Sequence, residues 1–174
     1  MKKTVVYFSD IIGTILGRKA NSEEDYKKFN DLLATIKQNE QADEIIFSLI
    51  STDDAKFVFN VQNMIFPFIN QTVSFGKQFF GNGYYIGKKI VEREPSAKAM
   101  DITQYIQELS QDYEITSVYY AEDTSMHQEM LAFLAESDGW NQQLVCITPN
   151  GGLGLFEVNQ LLESNIKERF GAQK

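Results

Sequence analysis

The chain has 174 residues, a length that suits one globular domain with its own core. With 43% hydrophobic residues, 13 Phe, 8 Tyr and only 3 Pro it is neither disordered nor collagen-like, and a formal charge of −8 argues against broad electrostatic binding to nucleic acid or an anionic membrane. One cysteine, Cys146, and one histidine, His127, exclude an internal disulfide, a four-cysteine zinc site and a multi-histidine mechanism, and suit a reducing compartment.

The first element is a strand over residues 4–8, a continuous apolar run rich in β-branched and aromatic residues, as in strands covered on both faces. It is too short for a signal-peptide core or a membrane span, so the chain reads as soluble and cytoplasmic. Ser22-Glu23-Glu24-Asp25 then has the form of a capping box, and Tyr26, Phe29, Leu33 and Ile36 follow at helical spacing. Residues 44–50 give a second buried strand, and the hydroxyl and carboxylate groups of residues 51–54 suit the start of a helix carrying Phe57, Val58, Val61, Ile65 and Phe68, with fraying expected at Pro67. The glycine-punctuated stretch 72–91 reads as a strand followed by a hairpin. Ser96 opens a helix with Ile102, Tyr105, Ile106 and Leu109; residues 115–120 form a strand; Ser125 opens a further helix. Residues 144–147 form another strand, whose Cys146 is expected in the core, and a helix over Val158, Leu162 and Ile166 ends the pattern. This alternation predicts a single α/β domain over 1–174, a doubly wound, mostly parallel Rossmann-like sheet in which residues 66–91 form an aromatic-rich hairpin insertion. Ligands of such sheets sit beyond the carboxyl ends of the strands, at the topological switch point.

Four strand ends carry polar chemistry: Asp10 with Gly13 and Thr14, Ser51 with Thr52, Glu122 with Asp123, and Asn150-Gly151-Gly152. Lys98, in the first turn after Pro95, offers a basic partner, with Lys88 and Lys89 as alternatives. In these residues the sequence resembles the haloacid dehalogenase-like (HAD) hydrolases, most of which are magnesium-dependent phosphatases. Their first motif is an apolar strand followed by Asp-x-Asp-Gly-Thr, and this chain reads Phe8-Ser9-Asp10-Ile11-Ile12-Gly13-Thr14. Their second is a Ser or Thr closing the next strand, matched by Ser51; their third is a Lys, for which Lys98 is the candidate. Their fourth is an acidic pair, in the place of Ala121-Glu122-Asp123.

The resemblance implies an aspartyl-phosphate chemistry on a phosphorylated substrate. Asp10 is the expected nucleophile and Lys98 a point charge; Gly13, Thr14, Ser51 and Thr52 are the expected phosphate-binding residues. Asp10, Glu122 and Asp123 are the expected Mg2+ ligands. The sequence departs from the pattern at Ile12, which stands where the family has the Asp that protonates the leaving group and later activates water. Ala121, Glu122 and Met126 also depart from the usual fourth motif. These departures leave an alternative open, a catalytically inactive HAD-like domain that binds a protein or a phospho-ligand. A flavodoxin-like nucleotide module is a third reading, spoiled by Ile11 and Ile12 in the loop after the first strand.

Structural explanations stand beside these. Ser51 and Thr52 suit helix capping, Glu122 and Asp123 suit a solvated helix start, and His127 suits an exposed polar position. The loop 150–154 has glycines but lacks the Lys and hydroxyl of a phosphate loop. Only 36 residues separate Thr14 from Ser51 and 46 separate Ser51 from Lys98, too few for the mobile cap that usually encloses small substrates, so an open site for a macromolecular substrate is expected. The aromatics of residues 66–85 offer a surface for pairing with a second copy.

Overall fold

The computed structural model describes residues 1–81 and 97–171, together with the backbone of residues 83–86 and 89–92. Five parallel strands form one sheet in the order β3-β2-β1-β6-β7. They are β1 (Lys2–Ser9), β2 (Glu44–Leu49), β3 (Ser74–Phe75), β6 (Tyr113–Ala121) and β7 (Leu144–Ile147). A separate antiparallel pair, β4 (Gly83–Ile86) and β5 (Lys89–Glu92), lies in the sequence between β3 and the next helix. The helices are α1 (Glu23–Asn39), α2 (Ala55–Ile69), α3 (Ala97–Leu109), α4 (Ser125–Asp138) and α5 (Leu155–Phe170).

β1 is the central strand because it is apolar on both faces. Val5, Val6, Tyr7 and Phe8 are all fully buried. Val5 and Tyr7 join the core under α1, α2 and α5, where Tyr7 stacks between Phe47 and Tyr119 with centroids 5.4 and 5.8 Å apart. Val6 and Phe8 face the opposite layer with Ile102 and Ile106 of α3 and Leu131 of α4. Each such fully buried side chain contributes about 1.5–3 kcal/mol, which makes this arrangement the doubly wound α/β sheet expected from the alternation.

Local signals set the helix ends. Ser22 caps α1 in a complete capping box with Asp25, and the Asp54 side chain caps α2 at the Phe57 N–H. α2 does not fray at Pro67. It continues to Ile69, because Ile65 and Ile69 are both fully buried and their packing offsets the hydrogen bond that proline cannot donate. Cys146 is also placed differently from expectation. β7 is an edge strand, so Val145 and Ile147 reach the core on one face while Cys146 is exposed on the other. Ser96 lies outside the described residues; the helix starts at Ala97. Among the described residues no helix is long and apolar enough to cross a membrane.

Candidate active site

The chain winds outward from β1 through β2 to β3 and then returns to β6 on the other side of β1, which places the switch point at the carboxyl ends of β1 and β6. Ser9 and Ala121 are register partners. The ladder runs one step further, with the Asp10 N–H donating to the Ala121 carbonyl at 2.9 Å and the Glu122 N–H to the Ile147 carbonyl at 3.0 Å. Asp10 and Glu122 are therefore held side by side by backbone bonds. Gly13 turns the chain after β1 in the left-handed region, φ +85°, and a Cβ there would collide with the Asp123 carboxylate. Thr14, fully buried, directs its hydroxyl at Asp10 Oδ2, 3.4 Å away.

Lys98, in the first turn of α3, reaches into this cluster. Its Nζ lies 3.0 Å from Asp10 Oδ1 and 3.3 Å from each oxygen of Glu122. All three side chains are buried. Burial alone would push the Lys98 ammonium towards losing its proton, but the Asp10 and Glu122 carboxylates outweigh it and hold the group above the usual lysine range. Burial, reinforced by the charge of Asp10, pushes Glu122 up to about 8 despite the opposing pull of Lys98. Asp123 is also raised, first by desolvation and then by its hydrogen bond to Asp10.

One lysine thus faces more negative charge than it can balance. Asp10, Glu122 and Asp123 each offer a carboxylate oxygen, and these oxygens lie within 4.8 Å of one another. A set of hard oxygen donors at this spacing suits a small divalent cation such as Mg2+.

The structure therefore brings together Asp10, Gly13, Thr14, Lys98, Glu122 and Asp123. Lys98 is the lysine that reaches Asp10; Lys88 and the Lys89 side chain lie outside the described residues. Ser51 is buried beside the end of β1, where the Ile50 N–H bonds to the Ser9 carbonyl at 2.8 Å. Its hydroxyl is engaged with Asp53, donating to Oδ2 at 2.8 Å and accepting from the Asp53 N–H at 3.0 Å. Thr52 is exposed. Ile12 is 58% exposed at the turn above Asp10.

Several contributors carry little signal in the sequence. His127 is half-buried, with Nε2 3.8 Å from Glu122 Oε1, so it is not the freely exposed residue its position suggested. Gln128 is buried and clamps the strand ends beneath Glu122. Its amide donates to the carbonyls of Tyr120 and Ile147, both at 3.0 Å, and its Oε1 accepts from Thr148 at 2.6 Å. In the glycine loop 150–154, the Glu157 carboxylate accepts from the N–H groups of Asn150, Gly151 and Leu153 at 3.0, 2.7 and 3.1 Å. The chain's own carboxylate already fills that anion cradle, which removes the phosphate-loop reading.

Of the aromatics in residues 66–85, Phe68 stacks on Tyr26 at 4.6 Å and Phe75 packs against Phe47 and Phe66, while Phe80 is 39% exposed beside Phe59. The side chains of Tyr84 and Tyr85 lie outside the described residues.

The arrangement of sheet and helices is similar to that of solved HAD domains. The HAD domain of effector protein Lem4 from Legionella pneumophila superposes with a TM-score of 0.50 at 13% identity, covering 99% of each chain. An inactive mutant of the same domain gives 0.55 at 12% identity, covering 96% of this chain and 94% of that one. At such identities the likeness speaks for the fold alone. No family model matches the chain, and no curated protein matches it.

Proposed function

We propose that the chain is a magnesium-dependent phosphohydrolase that works through an aspartyl phosphate on Asp10. The observation that carries this reading is the buried Lys98 ammonium bridging Asp10 and Glu122 at the switch point of the sheet. Structural ion pairs are seldom so dehydrated, since burying three charged groups costs several kcal/mol per ion before their attraction repays it. Such an arrangement is better explained by a site that must attract a phosphoryl group and a cation.

In this reading the Asp10 carboxylate is fixed on both oxygens, Oδ1 by Lys98 and Oδ2 by Thr14, so that it meets phosphorus in one orientation. Lys98 then faces the phosphoryl oxygens as a point charge. Ser51 binds a further oxygen by turning its hydroxyl away from Asp53, and Gly13 leaves room for Asp123 beside Asp10. A divalent cation held by Asp10, Glu122 and Asp123 supplies neutralisation of the charge that develops on the transferring group. Only 36 residues separate Thr14 from Ser51 and 46 separate Ser51 from Lys98, lengths that suit an open site and a phosphorylated macromolecule.

Ile12 supports a second reading, in which the same pocket binds a phospho-ligand or a protein partner without turnover. Assay of a panel of phosphate esters with and without Mg2+, comparing the wild type with Asp10→Asn, separates the two. Turnover that requires both Mg2+ and Asp10 supports the enzyme. Absent turnover, combined with a higher melting temperature in magnesium and beryllium fluoride, supports the binding module.

A further inference from the structure

The sheet has two edges, β3 and β7, and the edge strands of soluble proteins are normally guarded by charged side chains. The β3 edge has no such guard. Residues 57–76, from the first turn of α2 through β3, contain no Asp, Glu, Lys or Arg, although charged residues make up 23% of the chain. Among the described residues no strand pairs with the outer side of β3. What the edge carries instead is a row of phenylalanines. Phe59 and Phe66, about two turns apart on α2, meet Phe80 and Phe75 with ring centroids 5.7 and 5.4 Å apart. Phe59 and Phe66 are each 45% exposed and Phe80 39%, while Phe75 is half-buried. α2 already meets the core through Val58, Val61, Ile65 and Ile69, so these rings are surplus to the fold of a single chain. Paired aromatics clear of charge have the composition of an interface core rather than of ordinary surface.

We propose that this row is the contact of a homodimer, in which two copies meet about a two-fold axis and bury Phe59, Phe66, Phe75 and Phe80 of each. Charge selects a second copy over another partner. Each chain carries a formal charge of −8, so two copies repel each other across most faces and approach best through an uncharged one. A basic partner would be drawn to the acidic faces instead. The rim of the row is also self-complementary. Lys77 and, on α3, Asp101 and Glu108 line a cleft of about 230 Å³ beside Phe80. A two-fold contact presents the same patch from both sides, and so sets the lysine of each copy against carboxylates of the other. The dimer needs no catalytic activity, yet it reaches the candidate site. The Ser51 N–H donates to the Phe79 carbonyl at 3.0 Å and the Gly81 N–H donates to the Asp53 carbonyl, so the second copy stands beside the turn that carries Ser51.

The test is sedimentation velocity of the full chain over a concentration series that spans micromolar dissociation constants. The wild type should pass from the monomer mass to twice that mass as concentration rises. Phe59→Lys and Phe66→Lys should each raise the dimer Kd by about tenfold or more, and Lys77→Glu should raise it as well. Phe133→Lys, at a ring 71% exposed on α4, should leave the Kd unchanged, which separates this row from association through any exposed apolar side chain. A wild type that stays monomeric throughout overturns the proposal and leaves the row to some other partner. A dimer that survives both Phe59→Lys and Phe66→Lys, or that dissociates with Phe133→Lys, overturns it by placing the contact elsewhere. Urea midpoints establish that each variant is folded. If one is not, the other variant and the wild-type series decide the matter.

Discussion

Lys98 and Asp10, 88 residues apart in the chain, meet at 3.0 Å with both side chains buried, and the same ammonium also holds Glu122. Removing the cation while keeping its bulk leaves two buried carboxylates facing each other. Lys98→Met is therefore expected to destabilise the fold by about 3–5 kcal/mol at neutral pH, measured by urea unfolding in EDTA. Added Mg2+ should recover part of the loss, and equal stability of mutant and wild type would contradict the pairing.

Glu122 gives a pH signature. Its folded-state pKa, about 8, lies above the value of 4.5 expected in the unfolded chain. Between these values the folded state holds a proton that the unfolded state has released, so stability falls as pH rises through this window. The contribution is full below about pH 4.5 and is lost above about pH 8. In the absence of divalent cation, the difference in urea midpoint between the wild type and Glu122→Gln should change across this range. A constant difference would show that Glu122 titrates normally.

Gly13 and Gly81 form a matched pair. Both have positive φ, +85° and +65°, but a Cβ at Gly13 meets Asp123 and one at Gly81 meets nothing within 4 Å among the described residues. Each Ala substitution should cost about 1–2 kcal/mol in backbone strain. Gly13→Ala alone should also weaken Mg2+ binding in calorimetry, because it displaces a proposed ligand. Equal Mg2+ affinity in the two variants would remove Asp123 from the cation site.

Gln128→Ala strips partners from two buried carbonyls at the ends of β6 and β7. The Ile147 carbonyl keeps its bond from the Glu122 N–H, so the expected loss is about 0.5–1.5 kcal/mol for each hydrogen bond removed. If the clamp also fixes Glu122, Mg2+ affinity should drop by about tenfold or more. Reduced stability with unchanged affinity would make Gln128 a purely structural residue.

The sheet was legible in the sequence wherever a segment faces only apolar surroundings. The runs in β1 and β2 could be nothing but doubly covered strands, and Ser22 with Asp25 marked the start of α1 unambiguously. Asp10 and Glu122 could be found because strand ends concentrate chemistry in a parallel sheet, and Lys98 because the family resemblance calls for a lysine. What stayed hidden depends on strand order and on contacts between distant elements. Cys146 has a core residue's neighbours in sequence, yet β7 is at an edge. The Ser51 hydroxyl is turned to Asp53 by the local loop. Gln128 and Glu157 look like ordinary helix surface residues, and their roles arise only when backbone groups from other segments come within reach. Pro67 signalled a helix end that the burial of Ile69 overrides.

The central position of β1 also governs how the protein must be made. Lys2 pairs with Tyr113 and Ser9 with Ala121, so during synthesis β1 waits for a partner more than a hundred residues behind it. Until β6 arrives, an apolar strand has one unsatisfied edge, the condition under which nascent chains aggregate or recruit chaperones. The Asp10, Lys98 and Glu122 cluster is complete only after that closure. Capture of a cation or a phosphate mimic would thus report closure of the sheet at β6, and a fragment ending before β6 should be both insoluble and unable to bind either.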